Sequence, residues 1–410
     1  MDFRQKTLSN GLQVIGEVNP SAKSTAVAFF VRSGSRDETE AVSGVSHFLE
    51  HMLFKGTARL SALDVSAEFD NTGAQFNAFT NEENTVYYAA VLPEYLGEVT
   101  RLWIELMRPA LRAEDFDLEK NVIKEEIAMY QDQPGFDVME RCRRLHFDGH
   151  PCGNSVLGTE QGIDALTRQQ MKEYFDLRYA PNNMVVACTG NLDWDRVSAL
   201  VEAGCGDWPR QPASRAVSHC AGSRLRDRLE RAALACEHIC LMHEGVSMQD
   251  DRRFAAALLA TIVGDDVGSR YYWHLVDKAV ADTASMQLGT MDGTGVFYSY
   301  FQCPPSHAPR VLETAREIFA DLARHGVAEE ELVKAKNKTL SALVIKNELP
   351  MGRLVDLGFN WIYLGQYRSV AEDMAAIRRV TVEEVSALAL RLDLGQFTEF
   401  SIGPGRPAQE

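Results

Sequence analysis

The sequence predicts a mixed α+β protein built as two related α/β two-layer lobes, each a set of strands packed by helices. Three observations carry this expectation. Short apolar or alternating runs of strand length recur in both halves of the chain. Each half then shifts to longer segments with helical apolar periodicity. Between them, residues 209–228 are richer in Pro, Ser, Arg and Gly than their neighbours. The shared order of strands, helix, strands and long helices points to duplicated α/β units. The expected division is a first lobe over 1–212, a linker over 213–228 and a second lobe over 229–410.

The first half opens with a turn at Ser9-Asn10-Gly11 and a strand over Leu12–Glu17, followed by a strand over Ser24–Val31. A helix is expected around Gly44–Phe54, with Val45, Phe48, Leu49 and Met52 as its apolar surface. Leu63–Thr72 reads as a helix, and Gln75–Phe79 and Thr85–Val91 as paired strands. Longer helices follow over Tyr95–Met107 and Ala113–Gln131, the second stopped by Pro134-Gly135. Met184–Thr189 returns to strand character, and a helix follows near Trp194–Ala203. In the second half, strands are expected at Cys236–Met242, Phe297–Cys303 and Phe397–Ile402. Helices are expected at Asp250–Val263, Pro309–Gly326 and Glu329–Asn347. The glycine-rich run Gly289–Gly295 fits a turn between second-lobe strands.

The net charge of −16, from 42 basic and 58 acidic residues, argues against general nucleic-acid binding, which needs a positive field. Eight cysteines form no CxxC pair, and several lie in apolar runs, so reduced thiols and a cytoplasmic setting are expected. No long apolar signal or membrane-spanning run is present, so membrane insertion is not expected. Neither a GxSxG elbow nor a GxxxxGK[ST] phosphate loop occurs.

The strongest chemical signal is His47-Phe48-Leu49-Glu50-His51. On a helix, side chains four apart share a face, so both imidazoles can converge on one metal. Glu50 can face the same opening without being a ligand. Zinc takes neutral imidazoles and lowers the pKa of water, and an adjacent carboxylate can take the proton and pass it to a leaving amine. Charged and imidazole groups interrupt an otherwise apolar helix, where uncompensated burial is costly. A third ligand should come from elsewhere, and Glu119–Glu126 is a plausible donor run. Glu119 and Glu126 lie within about 20° of each other on a helix, whereas Glu125 is about 100° off that stripe. The spacing leaves open which of the two reaches the metal.

His47–His51, followed by Met52-Leu53-Phe54-Lys55-Gly56-Thr57, closely resembles the inverted zinc motif of the pitrilysin and insulinase superfamily. The nearest resemblance is to the branch of mitochondrial processing peptidase β subunits and small bacterial zinc peptidases. It extends through Asn77-Ala78-Phe79-Thr80 and Glu119–Glu126, and the two-lobed organisation follows it over nearly the whole chain. The resemblance implies a clamshell of two homologous lobes, each a mainly antiparallel sheet packed by helices. It implies a zinc metalloendopeptidase with one zinc ion per chain, held by His47, His51 and Glu126. Glu50 would be the general base, and Glu119 an additional active-site glutamate supporting His51 or the zinc environment. Asn77, Ala78 and Phe79 would line the peptide cleft, where substrate could add as a strand. The substrate would be a peptide or unfolded protein segment. A bacterial, cytoplasmic homodimer, or a heterodimer with a related subunit, fits the same branch.

The second half departs from this pattern. Active relatives use an Arg and a Tyr there, but rough alignment puts Val276 and Asp282 at those places. Arg270, Tyr271 and Tyr272 lie near but at different spacing, and Arg270 and Tyr272 are the candidate substrate contacts. This departure sustains an alternative: a non-catalytic or partner-dependent peptide-binding subunit of a processing-peptidase-like complex. Elsewhere, His146 and His150 repeat the four-residue spacing, but Gly149 and Pro151 favour a loop and structural roles. His219-Cys220 and the 236–240 segment lack the paired spacing of a structural zinc site.

Overall fold

The computed structural model describes residues 1–405. The chain divides into two compact units, each discontinuous in sequence. The first comprises Met1–Ala128, Asn154–Ala216 and Val344–Arg368; the second comprises Met129–Gly153, Val217–Leu343 and the remainder from Ser369. This differs from the contiguous division at 212 and 229: each half of the chain lends one segment to the other unit's core.

The first unit is built on a six-stranded sheet of β1 (Asp2–Thr7), β2 (Gln13–Val18), β3 (Thr25–Val31), β4 (Gln75–Thr80), β5 (Thr85–Val91) and β6 (Met184–Gly190). The order is β1-β2-β6-β3-β5-β4, with only β2 and β6 parallel. The central strand β3, Thr-Ala-Val-Ala-Phe-Phe-Val, is buried at every position. Such a run is expected of a strand covered on both faces. Ala26, Ala28 and Phe30 pack with Leu354, Leu357 and Trp361 of the helix Pro350–Leu364. Gly358 is required there, because a Cβ would lie 2.0 Å from Cζ of Phe30. Polar anchors fix the same helix. Arg353 donates to Glu17 on β2 at 2.7 and 2.9 Å, and both side chains are buried. Tyr363 donates to Glu83 at 2.7 Å, and Trp361 donates to Gln13 at 3.0 Å.

The second unit carries β7 (Arg226–Glu230), β8 (Glu237–Glu244), β9 (Thr283–Thr290), β10 (Gly295–Cys303) and β11 (Thr398–Gly403). Their order is β7-β11-β8-β10-β9, with only β7 and β11 parallel. This is the same five-strand order and direction pattern as β2-β6-β3-β5-β4, so duplication is visible in topology. Ile239 and Leu241 face a core shared with the helices Arg253–Gly264 and Ala308–His325. On the other face, Cys240 and Met242 pack with Val138 and Cys142 of the helix Pro134–His146. Each sheet thus has its own half's helices on one face and one helix from the other half on the opposite face.

Three expectations change. Pro134 opens a helix rather than only ending the preceding one, because the first helical turn has no use for the missing N–H. His146 consequently lies at a helix C-terminus, buried, rather than in a loop. The expected linker 213–228 is anchored at one end, where Arg215 pairs with Asp37 and contacts Glu83, and its last three residues enter β7. All eight cysteines are free, six of them buried. No helix among the described residues is long and apolar enough to cross a membrane.

Candidate metal centre

The motif lies on the nine-residue helix Val45–Leu53. Its start is fixed by Glu38, whose two oxygens accept from the backbone N–H groups of Gly44 at 2.6 Å and Ser46 at 2.8 Å. A carboxylate there satisfies N–H groups that a helix start leaves unpaired. Burial nevertheless pushes the Glu38 pKa up to about 7, against those two bonds. Gly44 has φ of 86° and abuts the Leu157 carbonyl, so no side chain fits at the entry.

The helix Ala113–Gln131 supplies the distal carboxylates from the same unit. His51 Nε2 and Glu126 Oε2 are 3.4 Å apart, and His47 Nε2 and the same oxygen are 3.8 Å apart. All three donor atoms lie within 4.8 Å of one another, and among the described residues this is the one such group. Ligands about 2.0–2.2 Å from a tetrahedral ion stand roughly 3.4 Å apart, so the two imidazole–carboxylate separations of 3.4 and 3.8 Å are close to those of a zinc site. The protonation state of His47 fits as well. Burial, reinforced by the neighbouring His51, pushes the His47 pKa down to about 3 and keeps its imidazole neutral. His51 Nδ1 meets Glu119 Oε1 at 2.8 Å, which directs Nε2 toward Glu126. Burial depresses the His51 pKa, but the Glu119 bond and the charges of Glu126, Glu119 and Glu50 outweigh it and raise the net value. His47 Nδ1 is buried with no hydrogen-bond partner, so tautomer control rests on His51.

Glu50 is held separately. Thr80 Oγ1, at the end of β4, donates to Glu50 Oε2 at 2.6 Å. Burial raises the Glu50 pKa, opposed by the Thr80 bond and by His51. Glu119 is pushed up by burial and pulled down more strongly by its bonds to His51 and Lys55.

The structure therefore gathers His47, Glu50, His51, Glu119 and Glu126 within one unit, and it separates Glu126 from Glu119 by their partners. Asn77, Ala78 and Phe79 lie on β4, the edge strand of the sheet, where the Ala78 N–H is taken by Asn77 Oδ1 at 2.9 Å. The second-unit candidates are engaged elsewhere. Arg270 Nε and Nη2 bind Glu331 at 2.8 and 2.9 Å, and Nη1 binds Asp321 at 2.9 Å. Tyr271 is buried against Ser299, and Tyr272 begins a five-residue π-helical turn stacked edge-on to Trp273. Sequence reading did not single out Thr80, Lys55 or Glu38. Lys55 and Thr80 stood inside the quoted motifs, but their roles depend on partners distant along the chain, whereas Glu38 acts on backbone N–H groups six and eight residues on.

Fold and site together define a class of duplicated α/β chains whose first unit carries a histidine–glutamate cluster suited to zinc. The chain belongs to the insulinase family, peptidase family M16: that family's model matches residues 13–160, and the model described as the M16 inactive domain matches 165–339. It is 33% identical to an uncharacterised zinc protease of Streptomyces coelicolor, over 99% of this chain and 90% of that one. It is 28% identical to an uncharacterised zinc protease of Bacillus subtilis, over 97% and 96% of the two chains. In fold it is similar to a protease from Helicobacter pylori, with a TM-score of 0.90 at 20% identity, covering 98% of this chain and 99% of that one. All the cluster residues fall within the segment matched by the insulinase model.

Proposed function

We propose that the chain is a zinc-dependent endopeptidase acting on peptides or unfolded protein segments. The observation that carries this reading is the convergence of His47, His51 and Glu126 beside a separately held Glu50. The three convergent side chains would hold one zinc ion per chain. Bound there, zinc supplies Lewis acidity, which acidifies water and stabilises charge developing on the scissile carbonyl oxygen.

The chain's own groups do the rest. Glu50 takes the proton from the attacking water and returns it to the departing amine, a role suited to a carboxyl whose proton affinity burial has raised. Thr80 fixes one Glu50 oxygen, so the other is left to face the water. Glu119 orients the His51 ring. The β4 edge offers Asn77, Ala78 and Phe79 to an extended peptide, and the Asn77 amide must swing off the Ala78 N–H for a strand to add there. Arg270, paired within its own unit, is left out of the proposed substrate contacts. A homodimer, or a heterodimer with a related subunit, and a cytoplasmic location are parts of the same proposal.

A second reading, a peptide-binding subunit without turnover, is favoured by Val276 and Asp282 at the expected Arg and Tyr places. The experiment that decides is hydrolysis of an unstructured peptide panel before chelation, after chelation, and after zinc is restored. The peptidase reading expects cleavage lost and regained. Peptide binding without cleavage in the zinc-restored sample supports the second reading.

A further inference from the structure

Lys55 lies just past the motif helix, four residues after His51. Its Nζ is 2.5 Å from Glu119 Oε2, while Glu119 Oε1 meets His51 Nδ1 at 2.8 Å. Each oxygen of this carboxylate is therefore committed to a different partner. The Glu119 side chain is only 5% exposed, so water does not readily replace either one. An ordinary surface ion pair contributes little; this one closes a buried carboxylate that touches a candidate ligand.

The pair also resolves an ambiguity built into the sequence. Glu119 and Glu126 lie on one stripe of the same helix, two carboxylates of equal chemistry near one site. Only Glu126 has an oxygen within the cluster of donor atoms. What distinguishes Glu119 is that both of its oxygens are held, one by Lys55 and one by His51.

We propose that Lys55 is a positioning residue that selects between the two glutamates. By holding Glu119 Oε2, it keeps that carboxylate on His51 Nδ1, aims His51 Nε2 at the metal, and leaves Glu126 as the sole carboxylate ligand. Without Lys55, Glu119 has a buried oxygen without a partner and is free to turn from His51 or compete for the metal. Neutral methionine fills similar volume without the charge, and arginine keeps the charge.

This inference rests on the metal-binding reading, and its test is read from metal binding rather than peptide turnover. Zinc affinity is measured by chelator competition on the full chain for the wild type, Lys55→Met, Lys55→Arg, Glu119→Gln and the Lys55→Met/Glu119→Gln double variant. Visible spectra of the cobalt-loaded proteins report ligand geometry, and thermal melts report folding. The expected results are about 10- to 100-fold weaker zinc binding in Lys55→Met, with an altered cobalt spectrum and a lowered but still cooperative melt, since a buried carboxylate loses a partner. Lys55→Arg should recover most of the affinity, and Lys55→Met should add nothing in the Glu119→Gln background. Wild-type affinity and spectrum in Lys55→Met overturn the proposal, as does an equal loss in both backgrounds. A wild type that binds no zinc defeats the metal reading itself and this inference with it.

Discussion

Replacing Arg353 with Met tests the most unusual packing feature, a helix from the second half of the sequence fixed onto the first unit's sheet. Arg353 reaches Glu17 Oε2 through Nε at 2.9 Å and Nη2 at 2.7 Å, and the two side chains are 4% and 2% exposed. Tyr367 donates to the same oxygen at 2.7 Å, and Arg353 Nη2 also donates to the Arg368 carbonyl at 2.6 Å. Removing the guanidinium leaves a buried carboxylate with one neutral donor. Breaking a buried pair on one side typically costs about 3–5 kcal/mol. For a unit of this size each kcal/mol moves the melting midpoint by about 2–4 °C, so a drop of roughly 6–20 °C in the first unit's calorimetric transition is expected. Replacing both partners, Glu17→Leu with Arg353→Met, should recover at least half of that loss, since an apolar pair carries no desolvation penalty. A single variant that melts within 2 °C of the wild type would refute the reasoning. So would a double variant that loses the sum of the two single effects.

Gly358→Val drives a side chain into the Phe30 ring and should destabilise the first unit by about 2–3 kcal/mol, read from urea unfolding. His243 lies between the Phe319 and Phe397 rings, with its pKa pushed down to about 3 by burial and further by His146. The unfolded chain binds its proton below about pH 6.5 while the folded chain does not, so stability falls as pH drops from about 6.5 toward 3. His243→Leu should flatten that acid limb between pH 6.5 and 4, and an unchanged slope would remove His243 from the account. Thr80→Val should lower kcat about 10- to 100-fold with zinc content and KM nearly unchanged, and Thr80→Ser should restore most of it.

The sheets were legible where strands are apolar throughout, as in β3 and β6, because burial on both faces leaves a continuous run. Strand β1, Asp-Phe-Arg-Gln-Lys-Thr, and strand β7, Arg-Asp-Arg-Leu-Glu, escaped because they are polar edge strands, and β7 is held by β11, a neighbour far along the chain. The exchanged helices were illegible for a related reason. Apolar periodicity shows that Pro350–Leu364 has a buried face, but it carries no address for the sheet that buries it. The metal cluster was nearly complete in the sequence, since His47, Glu50 and His51 are set by one helical turn. Helical spacing alone did not choose between Glu119 and Glu126; the family resemblance did, and the structure separates them by partner, Glu119 on His51 Nδ1 and Glu126 among the donor atoms. Thr80 was hidden because its bond to Glu50 spans 30 residues.

The most direct test of the central claim is Glu50→Gln, with zinc per chain and peptide turnover measured on the same preparation. The variant keeps both histidines, Glu126 and an acceptor for the Thr80 hydroxyl, so one zinc per chain should be retained. Loss of the proton acceptor should lower turnover by about 100- to 10,000-fold. Undiminished cleavage by a zinc-loaded Glu50→Gln protein would contradict the account.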